Sequence, residues 1–245
     1  MQIVNEGLLT NYEVKGSDNK EVILILHGWK NSLQQWLATA DGLSSKYKII
    51  LLDLPGFGLT SIPEKAYSIY DYASFVENFL DKLEIKKVIF IGHSFGGRIG
   101  LIMSTKTDKI ENLILVDAAG VEKRTLFAKI KIALFKSAKV IMPGSLVEKL
   151  RTKLGSPDYK SAGAMRDIFL KVINEDLSYL LPKIHIPTLI IWGDKDIEVP
   201  EWKTKKMKKL IKNSKLRVVW ESGHNPQLEK PREFMEILKD YLVFN

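Results

Sequence analysis

Short aliphatic runs recur along the chain at Val22 to Leu26, Ile49 to Leu52, Val88 to Ile91, Leu113 to Val116, Leu189 to Trp192 and Leu216 to Trp220. Runs this short, bounded by Gly, Pro, Asp or Ser, predict buried strands. Between them lie segments with helical spacing: Ser32 to Ser44, Ile69 to Leu83, Gly97 to Ser104, Glu201 to Ile211 and a last one from Arg232 to Val243. In the segment from Ile69, residues Tyr72, Phe75, Val76, Phe79, Leu80 and Leu83 recur at three and four, which makes one face apolar. Strands alternating with crossover helices predict an α/β fold, a mostly parallel, doubly wound sheet with helices on both faces. Alternation around Tyr12 to Val14 adds an antiparallel edge.

One region breaks this rhythm. From Val121 to about Leu181 there is no strand pattern, only short helical stretches separated by Pro143-Gly144 and Gly155-Ser156-Pro157. The chain therefore divides into a core built from residues 1–120 and 182–245 and an inserted helical segment, 121–181. Leu126, Ile130, Leu134 and Ala138 repeat every four residues in the insert, with Lys129, Lys131, Lys136 and Lys139 around them. A basic amphipathic helix of this kind suits a membrane surface or the cover of an apolar pocket, and the cover is the preferred reading. Phe127, Phe135, Met142, Met165 and Phe169 are its candidate pocket residues.

Composition narrows the functional class. A chain of 245 residues with 45% hydrophobic and 27% charged residues buries a sizeable core. It has no cysteine, so disulfides, thiolate metal sites and cysteine nucleophiles are excluded. The N-terminal sequence lacks the pattern of a signal peptide and no apolar run approaches a membrane span, so a soluble cytoplasmic protein without stable membrane insertion is expected. The formal charge of +8 is concentrated: Val121 to His185 holds 13 Lys and Arg against 6 Asp and Glu, and Glu201 to Lys215 holds 7 lysines against one glutamate. Lysines spaced along helices read as a solvated face, and no nucleic-acid partner is expected.

The chemistry starts at Gly92-His93-Ser94-Phe95-Gly96, between the run ending at Ile91 and a helical segment. G-x-S-x-G at a strand-to-helix turn is the pattern that projects a serine hydroxyl from the carboxyl end of a sheet, and Gly92 and Gly96 leave room for so sharp a turn. A serine needs a base, and the chain has four histidines. His93 adjoins the serine, His27 suits a structural role at the end of a strand, and His185 precedes a strand, far from the carboxyl edge. His224, in the loop after Leu216 to Trp220, is the candidate base. The imidazole needs an acid from the same edge. Asp196 is preferred, because Asp194 follows Gly193 so closely that it suits capping the turn; Asp194 and Asp117 remain the alternatives. Two backbone amides complete the set: Phe95, after the serine, and Trp29, in a loop where Gly28 lets the chain approach. The Trp29 indole also stands as a wall of the pocket.

These stretches together resemble the α/β-hydrolase superfamily: HGW at residues 27–29, DLPGFG at 53–58, GHSFGG at 92–97, WGDKDIEVP at 192–200 and SGHNPQLEKP at 222–231, in family order. The resemblance implies an α/β-hydrolase fold with Ser94, Asp196 and His224 as catalytic residues, and a helical cap in place of 121–181. It also implies hydrolysis of a small-molecule ester through an acyl-enzyme, with no cofactor and no metal. Thr60 stands where a serine is common in the family, and Asp53 reads as structural. Alternatives are a carbon–carbon bond hydrolase of dienoic diketones, a perhydrolase-type side activity and, in another class, a non-catalytic ligand receptor.

Overall fold

Uninterrupted aliphatic runs, rather than alternating ones, arise where a strand is covered on both faces. The computed structural model describes residues 1–122, 163–173 and 175–243. Its strands are β1 (Gln2–Asn5), β2 (Leu8–Lys15), β3 (Val22–Leu26), β4 (Lys48–Leu52), β5 (Val88–His93), β6 (Ile110–Val116), β7 (Thr188–Gly193) and β8 (Ser214–Val219). They form an eight-stranded sheet in the order β1-β2-β4-β3-β5-β6-β7-β8. The β1–β2 and β2–β4 pairs are antiparallel and all others parallel. The antiparallel edge predicted around Tyr12 is β2. Strand β1 has no counterpart in the sequence reading: Glu6 and Gly7 turn the chain with positive φ at both positions, a tight hairpin whose signal is weaker than that of Asn-Gly.

Helices α1 (Leu37–Leu43), α2 (Ile69–Lys82), α3 (Phe95–Lys106), α4 (Arg166–Ile173), α5 (Glu201–Leu210), α6 (Pro226–Glu229) and α7 (Pro231–Val243) fill the connections. The predicted Ser32 to Ser44 helix is in fact a 3-10 turn, Leu33–Trp36, running into α1. A capping box starts α2: Ser68 Oγ accepts from the Asp71 amide at 3.3 Å while the Ser68 amide donates to Asp71 Oδ2 at 2.6 Å.

Successive strand residues point to opposite faces, and the sheet accordingly has two cores. Leu24, Leu26, Ile50 and Leu52 pack with α2 and α3, through Phe75, Phe79, Ile99 and Ile102. Ile23, Ile25, Ile49 and Leu51 pack on the other face with Trp36, Phe234 and Leu238 from the 3-10 turn and α7. Most of the inserted segment, including Phe127, Phe135, Met142 and the repeat from Leu126 to Ala138, lies outside the described residues. No described helix is long and apolar enough to cross a membrane.

Candidate active site

Parallel neighbours in register bring their following loops to one edge. Leu26 of β3 faces Gly92 of β5, His93 faces Val116 of β6, Val116 faces Ile191 of β7, and Gly193 faces Val219 of β8. The residues after these ends, His27 to Trp29, Ser94, Asp117, Asp194 to Asp196 and Glu221 to His224, therefore meet although far apart in sequence.

Ser94 ends β5 with φ 49° and ψ −105°, a conformation that costs a non-glycine residue on the order of 1–3 kcal/mol. The turn survives because its surroundings fix it. Its amide donates to Val116 O at 3.0 Å, and its carbonyl accepts from Arg98 N at 3.3 Å and Ala119 N at 3.2 Å. The flanking glycines answer a steric need: a Cβ on Gly92 would lie 2.6 Å from Gly96 O, and one on Gly96 would lie 2.5 Å from Leu26 O. These contacts let α3 begin at Phe95, two residues before the predicted Gly97 start.

The three candidate acids have separate tasks. Asp196 Oδ2 accepts from His224 Nδ1 at 2.8 Å, and its Oδ1 accepts the amides of Glu198 at 2.8 Å and Val199 at 3.0 Å. Asp194 accepts from the Ser222 amide at 3.3 Å, so instead of capping its own turn, as its position predicts, it ties that turn to the loop after β8. Asp117 accepts from the Gly193 amide at 3.0 Å and is buried. Burial, and then the charge of Asp196, push the Asp117 carboxyl well above the usual carboxylate range. Burial also opposes the Asp196 charge, but the hydrogen bond from His224 and the two amides outweigh it and bring its pKa down. For His224 burial acts downward, yet the bond to Asp196 and the charges of Asp196, Glu198 and Glu229 bring the net shift upward. The second ring nitrogen, Nε2, lies 3.5 Å from Glu198 Oε2. Asp117, Asp196 and His224 are also the described group with metal-ligand spacing. In this arrangement His224 Nδ1 carries a hydrogen directed at Asp196, which suits proton transfer rather than ligation.

Of three supporting contacts, those of His93 and Glu229 have no local signature in the sequence. His93 is fully buried, and burial, followed by the charge of His224, pushes its imidazole down to about 3. As a neutral ring it donates from Nε2 to the His224 carbonyl at 2.7 Å, fixing the loop across the sheet edge. His27 Nε2 accepts from the Leu54 amide at 3.1 Å, which leaves Nδ1–H to donate to Gly28 O at 2.7 Å. This is the structural role expected of it. Glu229 receives the Gly223 amide at 2.6 Å and the Asn225 amide at 3.0 Å, one on each carboxylate oxygen, and so brackets His224. His185 is exposed before β7, away from this edge.

Gly28 packs against the serine turn: a Cβ there would lie 2.8 Å from His93 Nδ1 and 3.3 Å from Ser94 Cβ. Neither the Trp29 nor the Phe95 amide has a hydrogen-bond acceptor among the described residues. The Trp29 ring meets Phe57 at 4.8 Å, Phe95 at 5.3 Å and Phe169 of α4 at 5.3 Å. Met165 packs on Gly56, where a Cβ would lie 2.4 Å from its thioether. Thus two of the predicted pocket residues, Met165 and Phe169, lie against the loops beside Ser94. Asp53 is structural, as expected: it accepts the amides of Leu33 at 2.8 Å and Leu59 at 3.0 Å and the Asn11 side chain at 2.8 Å. Thr60 donates to the Asp53 carbonyl at 2.7 Å.

Residues 21–136 match the family model described as alpha/beta hydrolase fold. The chain is 28% identical over 264 residues to the hydrolase YugF of Bacillus subtilis, covering 97% of this chain and 95% of that protein. It is 27% identical over 256 residues to the monoacylglycerol lipase ABHD6 of Mus musculus, covering 92% and 76%. Among solved structures it is similar to a membrane phospholipase A described as a bacterial virulence factor, at 26% identity and a TM-score of 0.80, covering 99% of this chain and 85% of that one.

Proposed function

We propose that this chain, which belongs to the α/β-hydrolase superfamily, is a serine hydrolase that cleaves carboxylic esters of small to medium apolar substrates through an acyl-enzyme. One observation carries the reading. A water-shielded carboxylate, Asp196, bonds the imidazole of His224 at 2.8 Å on the same sheet edge where the strained Ser94 turn ends β5.

In this mechanism Ser94 Oγ attacks the ester carbonyl and its proton passes to His224 Nε2. Asp196 holds the reacting tautomer through Nδ1 and stabilises the imidazolium that forms. The amides of Trp29 and Phe95 receive the oxyanion, a role open to them because no protein acceptor among the described residues engages them. His224 returns the proton to the leaving alcohol, and water repeats the sequence on the acyl-enzyme to release the acid. Ser94 Oγ has no hydrogen-bond partner among the described residues, which is compatible with a nucleophile–base bond that tightens when substrate binds.

The names of two relatives, a monoacylglycerol lipase and a phospholipase A, support ester cleavage. The contacts of Met165 with Gly56 and of Phe169 with Trp29 support a cap, residues 121–181, over an apolar pocket whose wall includes Trp29. Release of nitrophenol from short- and medium-chain nitrophenyl esters tests the reading. Ser94→Ala is expected to lower kcat by about a thousandfold or more. Equal rates in wild type and variant would overturn it.

A further inference from the structure

The two nitrogens of His224 meet different carboxylates. Asp196 takes Nδ1 at 2.8 Å, and Glu198 lies 3.5 Å from Nε2. Glu198 is anchored by the same acid that holds the ring, since its amide donates to Asp196 Oδ1 at 2.8 Å. Its side chain is 63% exposed, whereas that of His224 is 13% exposed, so the carboxylate stands at the mouth of the site, on the solvent side of the imidazole. No lysine or arginine among the described residues pairs with it.

The position of Nε2 decides what Glu198 faces. A general acid must be within hydrogen-bond reach of the oxygen it protonates, and in ester cleavage that is the leaving alcohol oxygen. The alcohol part of the substrate, not the acyl part, therefore passes beside Glu198. Glu229, behind the His224 loop, adds charge of the same sign. The charge of Asp196 is directed at the imidazolium, and Asp117 is buried with its carboxyl pushed toward the neutral form. His93 is neutral. A charged group on the alcohol meets a net negative field from these groups.

Resting on the serine-hydrolase reading, we infer that Glu198 is a specificity-determining residue that sorts esters by the charge of their alcohol part, favouring ammonium alcohols over neutral ones and rejecting alcohols that carry a carboxylate. Because the carboxylate is exposed, solvent and salt screen it. The expected effect is about threefold to fivefold for attraction and about the same for repulsion, so that the cation-to-anion ratio of kcat/KM is about tenfold or more at low salt.

The test uses three butyrate esters of similar size: butyrylcholine, its neutral isostere 3,3-dimethylbutyl butyrate, and the butyrate ester of 4-hydroxybutyrate, all followed by acid release. Wild type is expected to order them cation, neutral, anion, with the ratio shrinking as salt rises. Glu198→Gln brings the ratio close to one and Glu198→Lys inverts it. Any change in His224 basicity acts on all three substrates alike and cancels in the ratio. Thermal melts establish that the variants fold, as expected for an exposed side chain. A wild-type ratio near one, or the same ratio in Glu198→Gln, overturns the inference while leaving the esterase reading intact. Cleavage that persists in Ser94→Ala, or folded wild type that cleaves none of the three, overturns the serine-hydrolase reading and the inference with it.

Discussion

Replacing Asp196 by asparagine changes one atom and reverses the hydrogen-bond logic of the site. In the native arrangement Oδ1 accepts two backbone amides, from Glu198 at 2.8 Å and Val199 at 3.0 Å, and Oδ2 accepts from His224 Nδ1 at 2.8 Å. An asparagine in this pocket keeps its carbonyl oxygen toward the two amides, because backbone amides only donate. Its NH₂ group then points at Nδ1 and demands a lone pair there, which forces the ring hydrogen onto Nε2. A ring protonated at Nε2 cannot accept the Ser94 proton. It also loses the charge that stabilises its imidazolium. Loss of the tautomer and of that charge together is expected to lower kcat on the order of ten-thousandfold, with KM changing far less. Thermal stability is expected to fall only by what the Asp196–His224 charge pair contributes, since both backbone amides keep an acceptor. Asp196→Ala separates the two effects: it orphans those amides at a cost of about 1–3 kcal/mol each, so it loses stability as well as rate. Nitrophenyl ester kinetics paired with thermal melts read both quantities. A rate for Asp196→Asn within tenfold of wild type would refute the argument and direct attention to Asp194 or Asp117, whose asparagine variants serve as parallel measurements.

Three further outcomes follow from the same geometry. The base must be neutral and the His224 pKa is raised, so kcat/KM is expected to rise with pH through a midpoint above the ordinary histidine value of about 6.5; a midpoint below that value contradicts the charge environment described. The corresponding stability signs are opposite. The raised His224 adds stability that is complete below its unfolded pKa and lost as pH rises through the folded one, whereas the depressed Asp196 adds stability present above its unfolded pKa and lost as pH falls through the folded one. The pair is thus worth most between about pH 4 and 6.5, measurable as the difference in Tm between wild type and Asp196→Asn across pH. Gly96→Ala places a Cβ 2.5 Å from Leu26 O and 2.9 Å from His27 O, so both stability and ester turnover are expected to fall, the latter by about a hundredfold given a serine turn displaced on the order of 1 Å; wild-type melting and kinetics in this variant would contradict the packing. Glu229→Ala releases the Gly223 and Asn225 amides and is expected to lower kcat about tenfold through looser placement of His224, with Glu229→Gln intermediate, since its amide keeps one acceptor oxygen.

Much of this architecture is carried by local pattern. The aliphatic runs at Val22 to Leu26 and Val88 to Ile91 are strands because a doubly covered sheet tolerates only apolar side chains there, and the observed β3 has the bounds that its run predicts. Ser94, Asp196 and His224 could be chosen because each follows a strand by a few residues, so that knowing the strands locates the loops. Boundaries depend on more than local pattern. Helix α3 begins at Phe95 because α3 packs against the β3 end closely enough that only glycine fits at position 96, a contact invisible in the linear pattern. Likewise the hairpin at Glu6-Gly7 sets β1 against Leu8 to Asn11 of β2, while β4 pairs with Tyr12 to Lys15, so β1 extends the edge of the sheet through a pairing that the local pattern does not mark.

What the sequence determined by itself was the period of its apolar positions, and with it most element types, the mostly parallel sense of the sheet and the few loops where chemistry collects. What only tertiary structure decided was which side chain answers which. His93 reaches the carbonyl of a residue 131 positions away, and Asp196 was separated from Asp194 and Asp117 by which carboxylate oxygen meets Nδ1. Glu198, two residues beyond the preferred acid, had no distinguishing mark until the fold set it beside Nε2. The physical reason is one of range: periodicity is a property of neighbouring residues, whereas a hydrogen bond or a Coulomb contact between loops depends on the register and twist of the sheet that carries them.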